Sequence, residues 1–188
     1  MQDTLPIHFA PLQGYTEAIY RNAHDAFFGG VDTYYTPFVR LEKGNFRRRD
    51  VRGIEPENNG VPHLIPQLIA SSAEKAEVIL SLFIEKGYQE VDINLGCPFP
   101  LLAKRHNGSG ILPYPEEVKA LLSIVTRYPQ ISFSVKMRLG WEQPDECLAL
   151  APILNDLPLR QITMHPRLGK QGYKGEVDLQ GFSAFREV

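Results

Sequence analysis

One thiol stands where it could do chemistry. Cys97 lies in Asn94-Leu95-Gly96-Cys97-Pro98, just past an apolar run of Val91, Ile93 and Leu95 broken only by Asp92 and Asn94. Gly96 permits a tight turn, and Pro98 fixes the next φ and removes a donor. Together they hold the thiol at a loop mouth; a buried structural cysteine is the plain alternative. The motif itself carries no histidine to make a thiolate. The nearest basic residues, Lys104, Arg105 and His106, fall on what reads as a mobile loop. A cysteine left as a thiol is a poor nucleophile but can donate a proton, so general acid is the better reading. Cys147 falls inside a helical pattern and reads as ordinary packing.

Four further residues stand at the ends of β-rich runs. Lys136 follows Ser-Phe-Ser-Val, His165 follows Gln-Ile-Thr-Met, and Gln67 and Asn94 close two earlier runs. Each alone is ordinarily structural. Carboxamides donate and accept at once, and a ring with both carbonyls and N–H groups, such as an isoalloxazine or a uracil, needs that mixture. Metal binding has little support, because His63, His106 and His165 have no ligand-like spacing and the two cysteines are far apart. No phosphate-loop or dinucleotide-binding signature occurs, and Asn107-Gly108-Ser109-Gly110 reads as a flexible lid. The dense basic cluster Arg47-Arg48-Arg49, with Lys43, is ordinarily a solvated surface and alternatively a phosphate contact.

The elements that must position these residues alternate in type. Strand-like runs cover residues 7–10, 33–36, 63–69, 90–95, 133–136 and 161–165. Between them lie helical patterns. In residues 73–86 Ala76, Ile79, Leu80 and Phe83 share a face, with Ser72 before and Gly87 after. Another opens at Pro115 with Glu116 and Glu117 at its positive end, and residues 16–28 and 144–154 complete the set. Residues 40–60 are polar and irregular. Repeated βα alternation implies a parallel sheet, either doubly wound or a barrel. Polar residues crowd the C-terminal ends of nearly every strand, as in a barrel active site, rather than one switch point. The expected fold is therefore α/β, a TIM (β/α)8 barrel that is incomplete. About six βα units are present of the eight such a barrel needs, and the sequence runs into a seventh near Phe182-Ser183-Ala184-Phe185.

Composition bounds the partners. The 188 residues are 43% apolar and 22% charged, with a formal net charge of -2 and a pI near 6.2. That is ordinary globular material without the basic excess of many nucleic-acid binders. Any grip on RNA must be local or lie outside this segment. Two cysteines make no disulfide framework. No signal peptide and no membrane-length apolar run is evident, so a reducing, cytoplasmic compartment is the default. Nothing in the sequence fixes an oligomeric state.

The motifs carry a resemblance. Ala10-Pro11-Leu12-Gln13-Gly14-Tyr15-Thr16 is similar to the opening A-P-M-x-G-x-T/S of the tRNA dihydrouridine synthases. Residues 91–98 resemble their V-D-I/L-N-x-G-C-P, and residues 135–141 their V-K-x-R-x-G. Lys104 with Gly108-Ser109-Gly110 and Leu112 resembles the segment between. Met164-His165-Pro166-Arg167, with Gln171-Gly172-Tyr173-Lys174-Gly175, resembles H-x-R and Q-x-Y-x-G. The matches come in family order over residues 7–175.

The resemblance implies a TIM barrel holding FMN, followed by a small helical domain that grips tRNA. It implies NADPH as reductant and reduction of a uridine C5–C6 bond in tRNA, with hydride at C6 and Cys97 protonating C5. Gln67, Lys136 and His165 would line the flavin ring over the Ala10-Pro11-Leu12 backbone. Asn94 would line the ring too, or face the uracil; Arg167 and Lys174 would lie near the RNA. Leu12 replaces the usual Met, a volume-conserving change. On this reading residues 1–188 are the N-terminal portion of the barrel, lacking strands seven and eight with their FMN-phosphate loops and the helical domain. Two other readings compete: a flavin barrel acting on free pyrimidines, like the dihydroorotate and dihydropyrimidine dehydrogenases, and an inactive truncated barrel.

Overall fold

A computed structural model describes residues 5–188. Six parallel strand units follow one another in sequence and in space, with helices between them. The first is β1 (His8–Phe9), then α1 (Ala18–Phe27) and β2 (Thr33–Tyr35). A small hairpin, β3 (Leu41–Glu42) and β4 (Asn45–Phe46), and α2 (Arg48–Ile54) occupy the region the sequence leaves irregular. The third unit is broken by Pro66, which lacks an N–H for the ladder. Its first half, β5 (Leu64–Ile65), pairs with β2, and its second half, β6 (Gln67–Leu68), pairs with the next strand. Pairing continues beyond β2, where Val39 bridges Leu68. Then come α3 (Ala73–Glu85), β7 (Glu90–Leu95), α4 (Pro100–Ala103), α5 (Pro115–Arg127), β8 (Ser132–Gly140), α6 (Glu146–Asn155), β9 (Gln161–Leu168) and α7 (Leu179–Arg186). The Phe182–Phe185 stretch is thus not the start of a seventh strand. It is the helix of the sixth unit, capped by Asp178, which accepts the Gly181 N–H.

Period-two alternation explains what each strand face does. On β8, Phe133, Val135, Met137 and Leu139 are fully buried among the helices. Each such burial contributes about 1.5–3 kcal/mol. The intervening Ser134, Lys136 and Arg138 point to the other face. The same split puts Val91, Ile93 and Leu95 of β7 in the core and Asp92 and Asn94 opposite. The two faces are therefore an apolar one under α3, α5 and α6 and a polar one.

That polar face is concave. Tyr35 on β2 and Arg160 at the foot of β9 are four strand spacings apart, roughly 19 Å if the sheet were flat. Yet the Arg160 guanidinium donates to the Tyr35 hydroxyl at 3.4 Å. The arc is open among the described residues: β1 and β9 each have a strand neighbour on one side only. All eight positions of β9 are only half-buried, and Ile19 and Phe27 of α1 are about four-fifths exposed, at 80% and 83%.

Candidate active site

The C-terminal ends of the strands surround a cavity of about 660 Å³, within the ~300–1,000 Å³ usual for small-molecule and cofactor sites. Pro11, Leu12, Gln13 and Tyr15 form one wall, and Phe38, Arg40 and Arg47 a second. Asn94, Cys97, Lys136, Arg138, His165 and Tyr173 also line the cavity, with Phe99 at the mouth. Three registered strands build the far side. Asn94 stands opposite Lys136, and Arg138 opposite His165. Lys136 and His165 do not end their strands as the sequence suggests. β8 runs on to Gly140 and β9 to Leu168, because the alternating apolar positions continue through Leu139 and the ladder through Leu168.

Cys97 is held by its main chain. Its N–H donates to Asn94 Oδ1 at 2.8 Å, and the Gly96 N–H to the same oxygen at 3.1 Å. Its carbonyl accepts from Ser109 N and Ser109 Oγ, both at 3.0 Å. Arg138 Nε donates to the Gly96 carbonyl at 2.9 Å. The Gly108–Ile111 turn is therefore no flexible lid. It is a buried 3-10 turn wedged under the cysteine, and Gly108 has φ +61° and no room for a Cβ against Cys97. Nor is the preceding loop loose at His106. That ring stacks on Tyr114 at 4.1 Å and pairs with Glu117 at 2.7 Å. Burial pushes the Cys97 thiol up from its ordinary value, opposed by a hydrogen bond from the Phe99 backbone and then by the charges of Arg138 and Arg40. The Cys97 sulfur is thus protonated at neutral pH.

Beneath the cavity floor the amides are chained. Gln67 Nε2 donates to Asp92 Oδ2 at 2.6 Å, and Asn94 Nδ2 to Gln67 Oε1 at 2.7 Å. Gln67 is buried under Asn94 and does not line the cavity itself. Burial pushes Lys136 down from its ordinary value, while Asp92 pulls it back up. His165 is lowered to about 4, first by burial and then by Arg138, Lys136 and Arg167, so its imidazole is neutral. Gln13 adds a signal: both polar atoms of its carboxamide are buried without a partner. A buried amide in that state marks a place for a ligand or an ordered water.

The remaining candidates lie outside the cavity wall. Ala10 is exposed just ahead of Pro11. Arg167 donates to the Gly175 carbonyl at 3.1 and 3.2 Å and touches His165 at 3.0 Å. Lys174 is exposed on the loop after β9; its neighbour Tyr173 reaches the cavity, 5.5 Å under the Arg138 guanidinium. Of the basic cluster, Arg47 lines the cavity, and Arg48 and Arg49 begin α2 on the outside. Arg40 and Phe38 are cavity residues that sequence reasoning did not single out, and Arg138, Tyr173 and Gln13 entered there only as members of the family-like motifs, without a role. Strand alternation from Lys136 would have found Arg138. Cys147, by contrast, is buried within α6 as its pattern suggests. Among the described residues no three His, Cys, Asp or Glu side chains gather as a metal site, and no helix is long and apolar enough to cross a membrane.

The family model described as "Dihydrouridine synthase (Dus)" matches residues 8–187. The chain belongs to the dihydrouridine synthase family. Its similarity to curated members is moderate. It is 27% identical over 186 residues to the probable tRNA-dihydrouridine synthase 1 of Synechocystis sp., covering 95% of this chain and 50% of that protein. To the tRNA-dihydrouridine synthase B of Vibrio cholerae it is 30% identical over 122 residues, 64% of this chain and 36% of the relative. To the tRNA-dihydrouridine(16) synthase of Haemophilus ducreyi it is 28% identical, covering 90% of this chain and 54% of the relative. The dihydrouridine synthase segment described here thus spans about half the length of the curated relatives it matches.

Proposed function

We propose that this cavity holds FMN and a uridine of tRNA, and that Cys97 donates a proton to uridine C5 as the C5–C6 bond is reduced. The observation that carries the reading is the clasped thiol of Cys97, kept protonated by burial beside Asn94, Lys136 and His165. When bound, FMN reduced by NADPH supplies the hydride that goes to C6. The residues present fit such a ring. Pro11 and Leu12 offer a flat apolar wall, Asn94 an N–H donor, and the unpartnered Gln13 amide both a donor and an acceptor. Lys136 supplies a cation where negative charge would build on a reduced ring. Neutral His165 can donate from one ring nitrogen without adding charge.

A uridine must leave its stack to reach a recessed thiol. Exposed Tyr15, Phe99 and Tyr173 at the mouth offer faces for neighbouring bases, and Arg40 and Arg47 offer charge for phosphates. Arg167 and Lys174 lie beyond that rim, where the strand would continue. The six strand units are read as the first part of a (β/α)8 barrel. Two further strands would pair with the open edges of β1 and β9, and these and a helical domain would correspond to the other half of the relatives' length. A tRNA substrate is in keeping with a cytoplasmic site of action. The test is binding: purified protein with added FMN is desalted, and retained flavin absorbance supports the reading. Loss of all flavin from both this chain and a version extended to the relatives' full length would overturn it.

A further inference from the structure

Asp92 is a buried carboxylate with no part in the proton transfer just described. It lies in a row across three strands, with Gln67 opposite on one side and Ser134 on the other. It accepts from Gln67 Nε2 at 2.6 Å and Ser134 Oγ at 2.5 Å, and is 1% exposed. Burial pushes the Asp92 carboxyl up, and the Ser134 and Gln67 hydrogen bonds pull it back down. As the acceptor of both it takes the Gln67 nitrogen, which leaves the Gln67 oxygen to Asn94. Asn94 must then answer with Nδ2, leaving Oδ1 for the Gly96 and Cys97 N–H groups. The second Nδ2 hydrogen of Asn94, which lines the cavity, is then a donor rather than an acceptor.

We propose that Asp92 is a positioning residue that fixes the direction of both carboxamides and, through them, the Cys97 loop and the donor that Asn94 shows to the cavity. The inference rests on the proposed flavin and uridine reading for its purpose but not for its geometry. Reverse Gln67, and its oxygen meets Asp92 while its nitrogen meets Asn94 Nδ2. Both contacts become repulsive, and the Asn94 oxygen is drawn off the cysteine loop.

Two readouts that need no turnover test it: the FMN dissociation constant by fluorescence quenching, and the alkylation rate of Cys97 in the flavin-free protein by peptide mass spectrometry. Asp92→Asn should stay within about twofold of wild type in both, because its carboxamide oxygen can still take the Gln67 N–H while its nitrogen donates to Ser134 Oγ. Asp92→Leu offers no acceptor. It should weaken FMN about tenfold and alkylate Cys97 several-fold faster. Should Asp92→Leu fail to fold, a double-mutant cycle decides. Ser134→Ala and Asp92→Asn should each be mild, and the pair should lose about tenfold because nothing then directs the introduced carboxamide. Asp92→Leu behaving like Asp92→Asn, or a strictly additive cycle, would overturn the proposal. If neither this chain nor the extended version binds FMN, the functional reading fails and the alkylation arm still decides the role of Asp92.

Discussion

The side-chain oxygen of Asn94 accepts the backbone N–H of Cys97 at 2.8 Å. The loop is therefore held by main-chain atoms, and the thiol is left free for chemistry. Cys97→Ala removes the sulfur and none of these bonds. It should retain flavin as well as wild type and lose about 10²–10⁴-fold in turnover, the usual worth of a positioned acid. Flavin absorbance after desalting and single-turnover tRNA reduction check the two halves separately.

The clasp from below is equally demanding. A Cβ on Gly108 would meet the Cys97 carbonyl oxygen at 2.5 Å and its Cβ at 2.8 Å, at a φ of +61°. Gly108→Ala should cost about 1–3 kcal/mol in stability and displace Cys97, with a larger proportional loss of turnover than of flavin binding. Denaturant unfolding and an activity assay on the same samples separate the effects.

Arg138 ties the Cys97 loop to the end of β9 and to the loop after it. Its guanidinium donates to the carbonyls of Gly96 and Leu168 at 2.9 Å and of Gly172 at 2.7 Å, with Tyr173 below. Lysine keeps the charge but cannot make that planar fork. Arg138→Lys should strand at least one buried carbonyl, at a cost of about 1–3 kcal/mol, and free Tyr173. A lowered melting temperature together with faster proteolysis after residue 172 would show it.

His165 gives a pH signature. Burial and its three cationic neighbours lower it to about 4 in the folded chain, against ~6.5 unfolded. Above ~6.5 both states hold a neutral ring and its contribution to stability is complete. As pH falls from ~6.5 towards 4 only the unfolded chain takes up the proton, so stability falls. The difference in unfolding free energy between wild type and His165→Asn should therefore shrink over that window and be flat from pH 7 to 8.

Much of this was legible in the sequence, and the gaps have physical causes. The strand at 90–95 and the helices opening at Ala73 and Pro115 declare themselves through apolar periodicity, Ser72 and a first-turn proline. The ends of β8 and β9 did not, because Arg138 and Arg167 look like loop residues until alternation is followed past Lys136 and His165. The Gly108–Ile111 turn reads as a lid because glycine and serine are small and polar. In place, smallness is what lets the turn pack against Cys97. Arg40 and Phe38 flank Val39, whose course depends on pairing with Gln67 and Leu68, a tertiary relationship that no local pattern encodes. The order of Asp92, Gln67, Asn94 and Cys97 was equally hidden, since it joins strands 25 residues apart.

The most direct test of the account is one reaction run in D₂O: purified protein with FMN, NADPH and tRNA lacking dihydrouridine, the product nucleosides then analysed by mass spectrometry and NMR. The account predicts a dihydrouridine carrying solvent-derived deuterium at C5, whatever the label at C6, where the exchangeable N–H of a reduced flavin also delivers solvent deuterium, and about 10²–10⁴-fold slower product formation by Cys97→Ala. A product formed equally well by Cys97→Ala, or one without solvent deuterium at C5, would contradict it.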